Sequence, residues 1–133
     1  TPESLRIAPL IVEQSIGFLD PPSDGAAWFR AMGLEPPKQT GPQFSQADHA
    51  VDAALAGVGA VLGRRALCIK DIAEGRLVAP YRVALNTGAR FRFICPSGIE
   101  NRPQIRAFRE WVLAEIEKTR ELAESFEIRE VPE

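Results

Sequence analysis

The chain is poor in the side chains that build redox or metal chemistry: its 133 residues include two cysteines, one histidine, one methionine and one tyrosine. Cys68 and Cys95 belong to no CxxC pair, and His49 has no second histidine with which to share an ion. Metal-site spacing is therefore absent, and no cofactor is expected. Both thiols are expected to be reduced packing residues, with a single disulfide left open. No sign of charge dominates either, since sixteen Lys and Arg face eighteen Asp and Glu for a formal net charge of −2. That balance excludes a chain-wide pull toward nucleic acid or an anionic membrane. No apolar run approaches the roughly 20 residues that a bilayer-spanning helix needs, and no secretory leader is visible, so no membrane partner is expected.

What is present is ordinary globular material, with 45% apolar and 26% charged residues in one domain's length of chain. The opening TPESLRIAPLIVEQ has no methionine and no sustained periodicity, and reads as a piece of something larger. Leu5 to Val12 is apolar but interrupted by Pro9, which predicts an edge or linker strand, not a central one. Ile16-Gly17-Phe18-Leu19 reads as a strand stopped by Asp20-Pro21-Pro22. Ser23 or Asp24 then caps a helix that turns Ala27, Trp28 and Met32 inward and stops at Gly33. Pro42-Gln43-Phe44 reads as a second strand, and Ser45-Gln46-Ala47-Asp48 as a capping box opening a helix that carries Ala50, Val51, Ala54 and Leu55 to a stop at Gly57.

Ala60-Val61-Leu62 is a third strand. Asp71 to Gly75 reads as a single helical turn, Leu77-Val78-Ala79 as a fourth strand, and Phe91 to Cys95 as a fifth after the turn Asn86-Thr87-Gly88. Asn101 and Pro103 open a long helix with Ile105, Phe108, Trp111, Val112 and Ile116 along one stripe. The charged end of the chain predicts a frayed helix and tail.

Gly57, Gly59 and Gly63 look at first like a phosphate loop. A dinucleotide or P-loop fingerprint must follow a strand and open a helix, because the phosphate sits on free amides at the positive end of the helix dipole. Here the order is reversed, helix then glycines then strand, and the lysine that follows these glycines, Lys70, precedes Asp71, not Ser or Thr. The nucleotide reading fails, and the glycines are expected to shape the turn and the strand. Open α/β sheets hold ligands beyond the carboxyl ends of their strands. That places candidate contacts at Phe44, Ser45 and Gln46 on one strand end and at Gly63 and Arg64 on another, with Arg65 a weaker addition.

The string from Ala53 to Arg65, followed by Asp71-Ile72 and Gly75-Arg76-Leu77-Val78, resembles the effector-binding domain of LysR-type transcriptional regulators, most of all the branch that includes the glycine-cleavage activator. Trp28 with Gly33 matches that family's tryptophan helix, and Phe93 to Pro96 with Arg102 to Trp111 matches its returning strand and last helix. The resemblance runs from about Ile16 to Glu115.

The resemblance implies an α/β fold in which this chain supplies one lobe of a type 2 periplasmic-binding-protein-like architecture, a Rossmann-like mixed sheet flanked by helices, plus a long C-terminal helix. Residues 1–15 would be a stub from the first lobe, 16–95 the second lobe, and 96–133 the returning segment, long helix and tail. A small-molecule effector would lie between lobes, touching Phe44, Ser45, Gln46, Gly63 and Arg64, and would alter DNA binding by an N-terminal helix-turn-helix absent from this chain. With only half the site, this piece is expected to bind effector weakly or not at all. Phe108, Trp111 and Val112 would pack on the first lobe in the family, so here a homo-oligomer or swapped assembly is expected to bury them. A cytoplasmic location follows from the same resemblance. An extracytoplasmic solute-binding protein shares the two-lobed fold and stays open as the alternative. An enzyme reading built on Asp48, His49 and Ser45 is not expected, because neighbours on a helix point about 100° apart and nothing is placed to orient the histidine.

Overall fold

The computed structural model describes residues 5, 7–17, 19, 20, 22–38 and 41–132. The segment demoted by Pro9 turns out to organise the fold. Strand β1 (Leu10–Glu13) lies between β2 (Gln43–Phe44) and β3 (Ala60–Val61) in a three-stranded sheet of order β2-β1-β3. Both ladders are parallel, with Val12 and Glu13 opposite Gln43 and Phe44, and Leu10 and Ile11 opposite Ala60 and Val61. The expectation of an edge strand is thus corrected. Pro9 stands one residue before the ladder, where its missing N–H is not needed, and its carbonyl accepts from Ala60 N–H at 2.9 Å. Ile11, at the centre, is 2% exposed.

The strand expected at Ile16 to Leu19 is not found. Gly17 N–H donates to the Gln14 carbonyl and Leu19 N–H to that of Ile16, which makes this a turn; Phe18 and Pro21 lie outside the described residues. Helix α1 (Gly25–Ala31) follows as expected, capped by the Asp24 side chain, which accepts from Ala27 N–H at 2.8 Å. It buries Ala27, Trp28 and Phe29. The Trp28 indole N–H donates to the Val83 carbonyl at 3.1 Å, and its ring meets Phe29 edge-on at 5.4 Å and Tyr81 at 6.0 Å.

Helix α2 (Ala47–Leu55) begins two residues after the predicted cap. Gln46 is the N-cap and no side chain bonds to the first-turn amides, so Ser45 does not form the expected capping box. The far end closes as predicted. Gly57 has φ +79°, its N–H reaches the Ala54 carbonyl, and Val58 N–H reaches that of Ala53, a Schellman pair. Gly59 then passes so close to the Pro9 carbonyl that a Cβ would collide with it, so the parallel pairing of β1 with β3 needs glycine there.

After β3 the sequence reading and the structure diverge. Residues Arg65–Ala73 form a nine-residue helix, α3, where a single turn was expected, and it buries Cys68 and Ile69. Burial, with a lesser contribution from Asp71, pushes the Cys68 thiol up. Cys68 and Cys95 are both free thiols. Leu77 to Ala79 is no strand, and Val78 is 79% exposed. The strand in this region is β4 (Val83–Asn86), and Phe91 to Cys95, expected as a strand, pairs with nothing among the described residues.

Helix α4 (Pro103–Lys118) starts at the predicted proline with Arg102, not Asn101, as its N-cap, and has no buried residue. The tail is not frayed: α5 (Arg120–Glu124) leads into β5 (Glu127–Glu130), which pairs parallel with β4 from Val83 opposite Glu127 to Asn86 opposite Glu130. Arg129 donates to the Ala31 carbonyl at 2.9 Å at the end of α1, and the Asn86 amide donates to the Glu130 carboxylate at 3.0 Å. Every ladder among the described residues is parallel, where a mixed sheet was expected.

Candidate functional site

Because β1, β2 and β3 run parallel with helices as crossovers, their carboxyl ends share one edge, and α2 and α3 both start there, neither capped by a side chain. Phe44 ends β2 half-buried, and Ser45 and Gln46 follow it, exposed. Gly63 and Arg64 lie between β3 and α3, both half-buried. With β1 in the middle, the structure puts these two predicted groups on either side of the β1 terminus. It thereby brings in residues that the sequence reading passed over: Glu13, Gln14 and Ser15. The polar run directly after the apolar Leu10-Ile11-Val12 was the signal that could have found them.

Glu13 is the centre of the polar contacts at this edge. One carboxylate oxygen accepts from Ser15 N–H at 2.5 Å and the other from Arg64 Nη2 at 3.4 Å. Arg64 Nη2 also donates to Ser15 Oγ. The Glu13 side chain is 5% exposed and that of Arg64 34%, so the carboxylate is the buried partner and the guanidinium the accessible one. Arg64 Nε is buried with no hydrogen-bond acceptor. On the β2 side, Gln14 N–H donates to the Phe44 carbonyl at 2.9 Å and the Gln14 amide to Gln43 Oε1 at 2.8 Å.

Gly63 is held to glycine by packing, since a Cβ there would run into Cys68 Sγ on the first turns of α3. Arg65 points elsewhere and donates to the Ala123 carbonyl of α5 at 3.4 Å. A cleft of about 190 Å³ adjoins this edge, lined by β1, Asp24, Gly25, Pro36, Pro37 and Leu62, and it touches Glu13 and Gln43. Phe44, Ser45, Gln46, Gly63 and Arg64 do not line it.

Asp48 and His49 are exposed neighbours on α2, and among the described residues no group of three His, Cys, Asp or Glu side chains is placed to hold a metal ion. No described helix is long and apolar enough to cross a membrane. On α4, Phe108 and Trp111 are 51% and 58% exposed, with ring centroids 5.8 Å apart and planes tilted by 32°, and the Phe93 ring lies 5.6 Å from that of Phe108. Val112 beside them is half-buried.

These features define an α/β domain on parallel βαβ units with its polar residues gathered at the carboxyl edge of the sheet. The chain belongs to the LysR substrate binding domain family, which it matches over residues 1–117. It is 33% identical over 92 residues to the Glycine cleavage system transcriptional activator of Escherichia coli (strain K12), covering 68% of this chain and 30% of that protein. Over 94 residues it is 32% identical to the HTH-type transcriptional activator AmpR of Providencia stuartii, covering 68% and 31%. A third relative, the Carbapenem-hydrolyzing beta-lactamase transcriptional activator of Serratia marcescens, is 31% identical over 90 residues, covering 66% and 31%. The chain thus spans about three tenths of the length of these relatives. No solved structure shows a significant match.

Proposed function

We propose that this chain is the effector-sensing part of a LysR-type transcriptional regulator: one lobe of a two-lobed, type 2 periplasmic-binding-protein-like domain. In this reading a small-molecule effector sits at the carboxyl edge of the three-stranded sheet, against Phe44, Ser45 and Gln46 on one side and Gly63 and Arg64 on the other. The observation that carries it is the strand order β2-β1-β3, which gathers residues 44–46 and 63–64 around one strand end. The family match and the regulator names of the relatives support it and weigh against a solute-binding protein or an enzyme.

The rest of the reading extends to a longer, cytoplasmic protein. A first lobe would complete the effector site, and an N-terminal helix-turn-helix, the element for which the AmpR relative is called an HTH-type activator, would grip DNA. Effector binding would then bias the relative placement of lobes and subunits, and through it the DNA-binding heads. The division follows the residue pattern, with 16–95 as the lobe proper and 96–133 as the returning segment and helix, except that β1 joins the lobe and β5 returns to it by pairing with β4. The stripe of exposed Phe108 and Trp111 with half-buried Val112 is the surface for the first lobe or for a second copy.

Calorimetry on the 133-residue chain tests the half-site reading. With half the contacts, small metabolites bind with Kd above about 1 mM, worth no more than roughly 4 kcal/mol, and micromolar binding to this chain alone would refute it.

A further inference from the structure

We infer that Glu13 is a built-in placeholder for a ligand carboxylate: Arg64 exchanges its Glu13 contact for the carboxylate of a bound small molecule. The inference rests on the effector-site reading of the strand edge, and adds to it the chemical class of the ligand and the residue that competes with it.

Four observations converge. The Arg64–Glu13 contact is single and long at 3.4 Å, whereas a guanidinium presents five donors in a fork suited to paired bonds with a carboxylate. Arg64 keeps Nε buried without an acceptor, an arrangement that native structures rarely hold without a reason. Arg64 is the accessible member of the pair, at 34% exposure against 5% for Glu13, so an incoming anion meets the cation first. Finally, Glu13 has a second partner: its other oxygen accepts from Ser15 N–H at 2.5 Å, so its carboxylate keeps a hydrogen bond when Arg64 leaves. Swinging away from Ser15, Arg64 would present Nε and Nη2 together to a carboxylate between the two strand ends and satisfy the atom now without a partner.

The test is an NMR titration of the full chain with sodium acetate at neutral pH, set against sodium chloride at equal ionic strength. The Arg64 side-chain Nε–H signal and the backbone amides of Ser45 and Gln46 are followed. A saturable acetate shift at Arg64 that chloride does not reproduce supports the exchange. In Glu13→Gln, which keeps the shape and removes the competing charge, the acetate midpoint falls about three- to fivefold, the upper range for a partly exposed ion pair. An unchanged or raised midpoint in Glu13→Gln, its fold checked by the amide spectrum, overturns the proposal even if Arg64 responds. Shifts at Ser45 and Gln46 with Arg64 silent overturn it while leaving the effector-site reading intact. A response at Arg64 with Ser45 and Gln46 silent upholds the exchange and removes those two residues from the site. Silence at all three overturns the exchange and leaves the effector-site reading, which expects weak or no binding by this half-site, to the calorimetry.

Discussion

Replacing Trp28 with phenylalanine probes the joint between α1 and the β4–β5 pair. Trp28 is 8% exposed, donates to the Val83 carbonyl at 3.1 Å and meets Phe29 edge-on at 5.4 Å. Phenylalanine keeps an aromatic ring against Phe29 but deletes the N–H and part of the ring system. The lost hydrogen bond costs about 1 kcal/mol, and the unfilled volume about 1–2 kcal/mol more. The sum, about 2–3 kcal/mol, is a large share of the roughly 5–15 kcal/mol that holds a typical domain together. At about 4 °C per kcal/mol for a chain of this size, Tm falls by roughly 8–12 °C. Urea and thermal unfolding followed by far-ultraviolet circular dichroism measure this, with Trp111→Phe as comparator. Trp111 is 58% exposed, so its replacement costs within about 0.5 kcal/mol. A loss below about 0.5 kcal/mol for Trp28→Phe, or equal losses at the two positions, would refute the assignment of Trp28 as the anchor.

At Gly63, alanine forces a methyl against the Cys68 thiol and is expected to destabilise by about 1–3 kcal/mol. Cys68→Ala in the same chain recovers much of that loss in denaturant titrations, and strictly additive effects would show that the thiol is not the obstacle. For the α4 stripe, sedimentation at tens of micromolar is expected to show a homo-oligomer that reverts to monomer when Phe108 and Trp111 are both replaced by serine. A monomer throughout, with the stripe still open to solvent, would refute the homo-oligomer.

The sequence alone determined the elements whose signals are local. The starts of α1 and α4, the stops at Gly33, Gly57 and Gly75, and the strands at Gln43–Phe44 and Ala60–Val61 follow from caps, left-handed glycines, a first-turn proline and short apolar runs, each readable within a few residues. The reversed order around Gly57 also sufficed to reject a phosphate loop, and the residue string through Val78 carried the family. Only the tertiary structure decided which short runs pair. β1 became the centre of its sheet because ladder partners some thirty and fifty residues away in sequence supply its hydrogen bonds, and no periodicity survives in strands of two to four residues to announce that.

The same reason hid β5, whose partner β4 lies more than forty residues earlier, and left Phe91 to Cys95 looking like a strand with no edge to join. The candidate site divides along this line too. Phe44 to Gln46 and Gly63-Arg64 were legible as ends of apolar runs. Glu13 and Ser15 entered only when parallel pairing set the β1 terminus between them, because a contact between residues 13 and 64 is a property of the sheet, not of any stretch of chain.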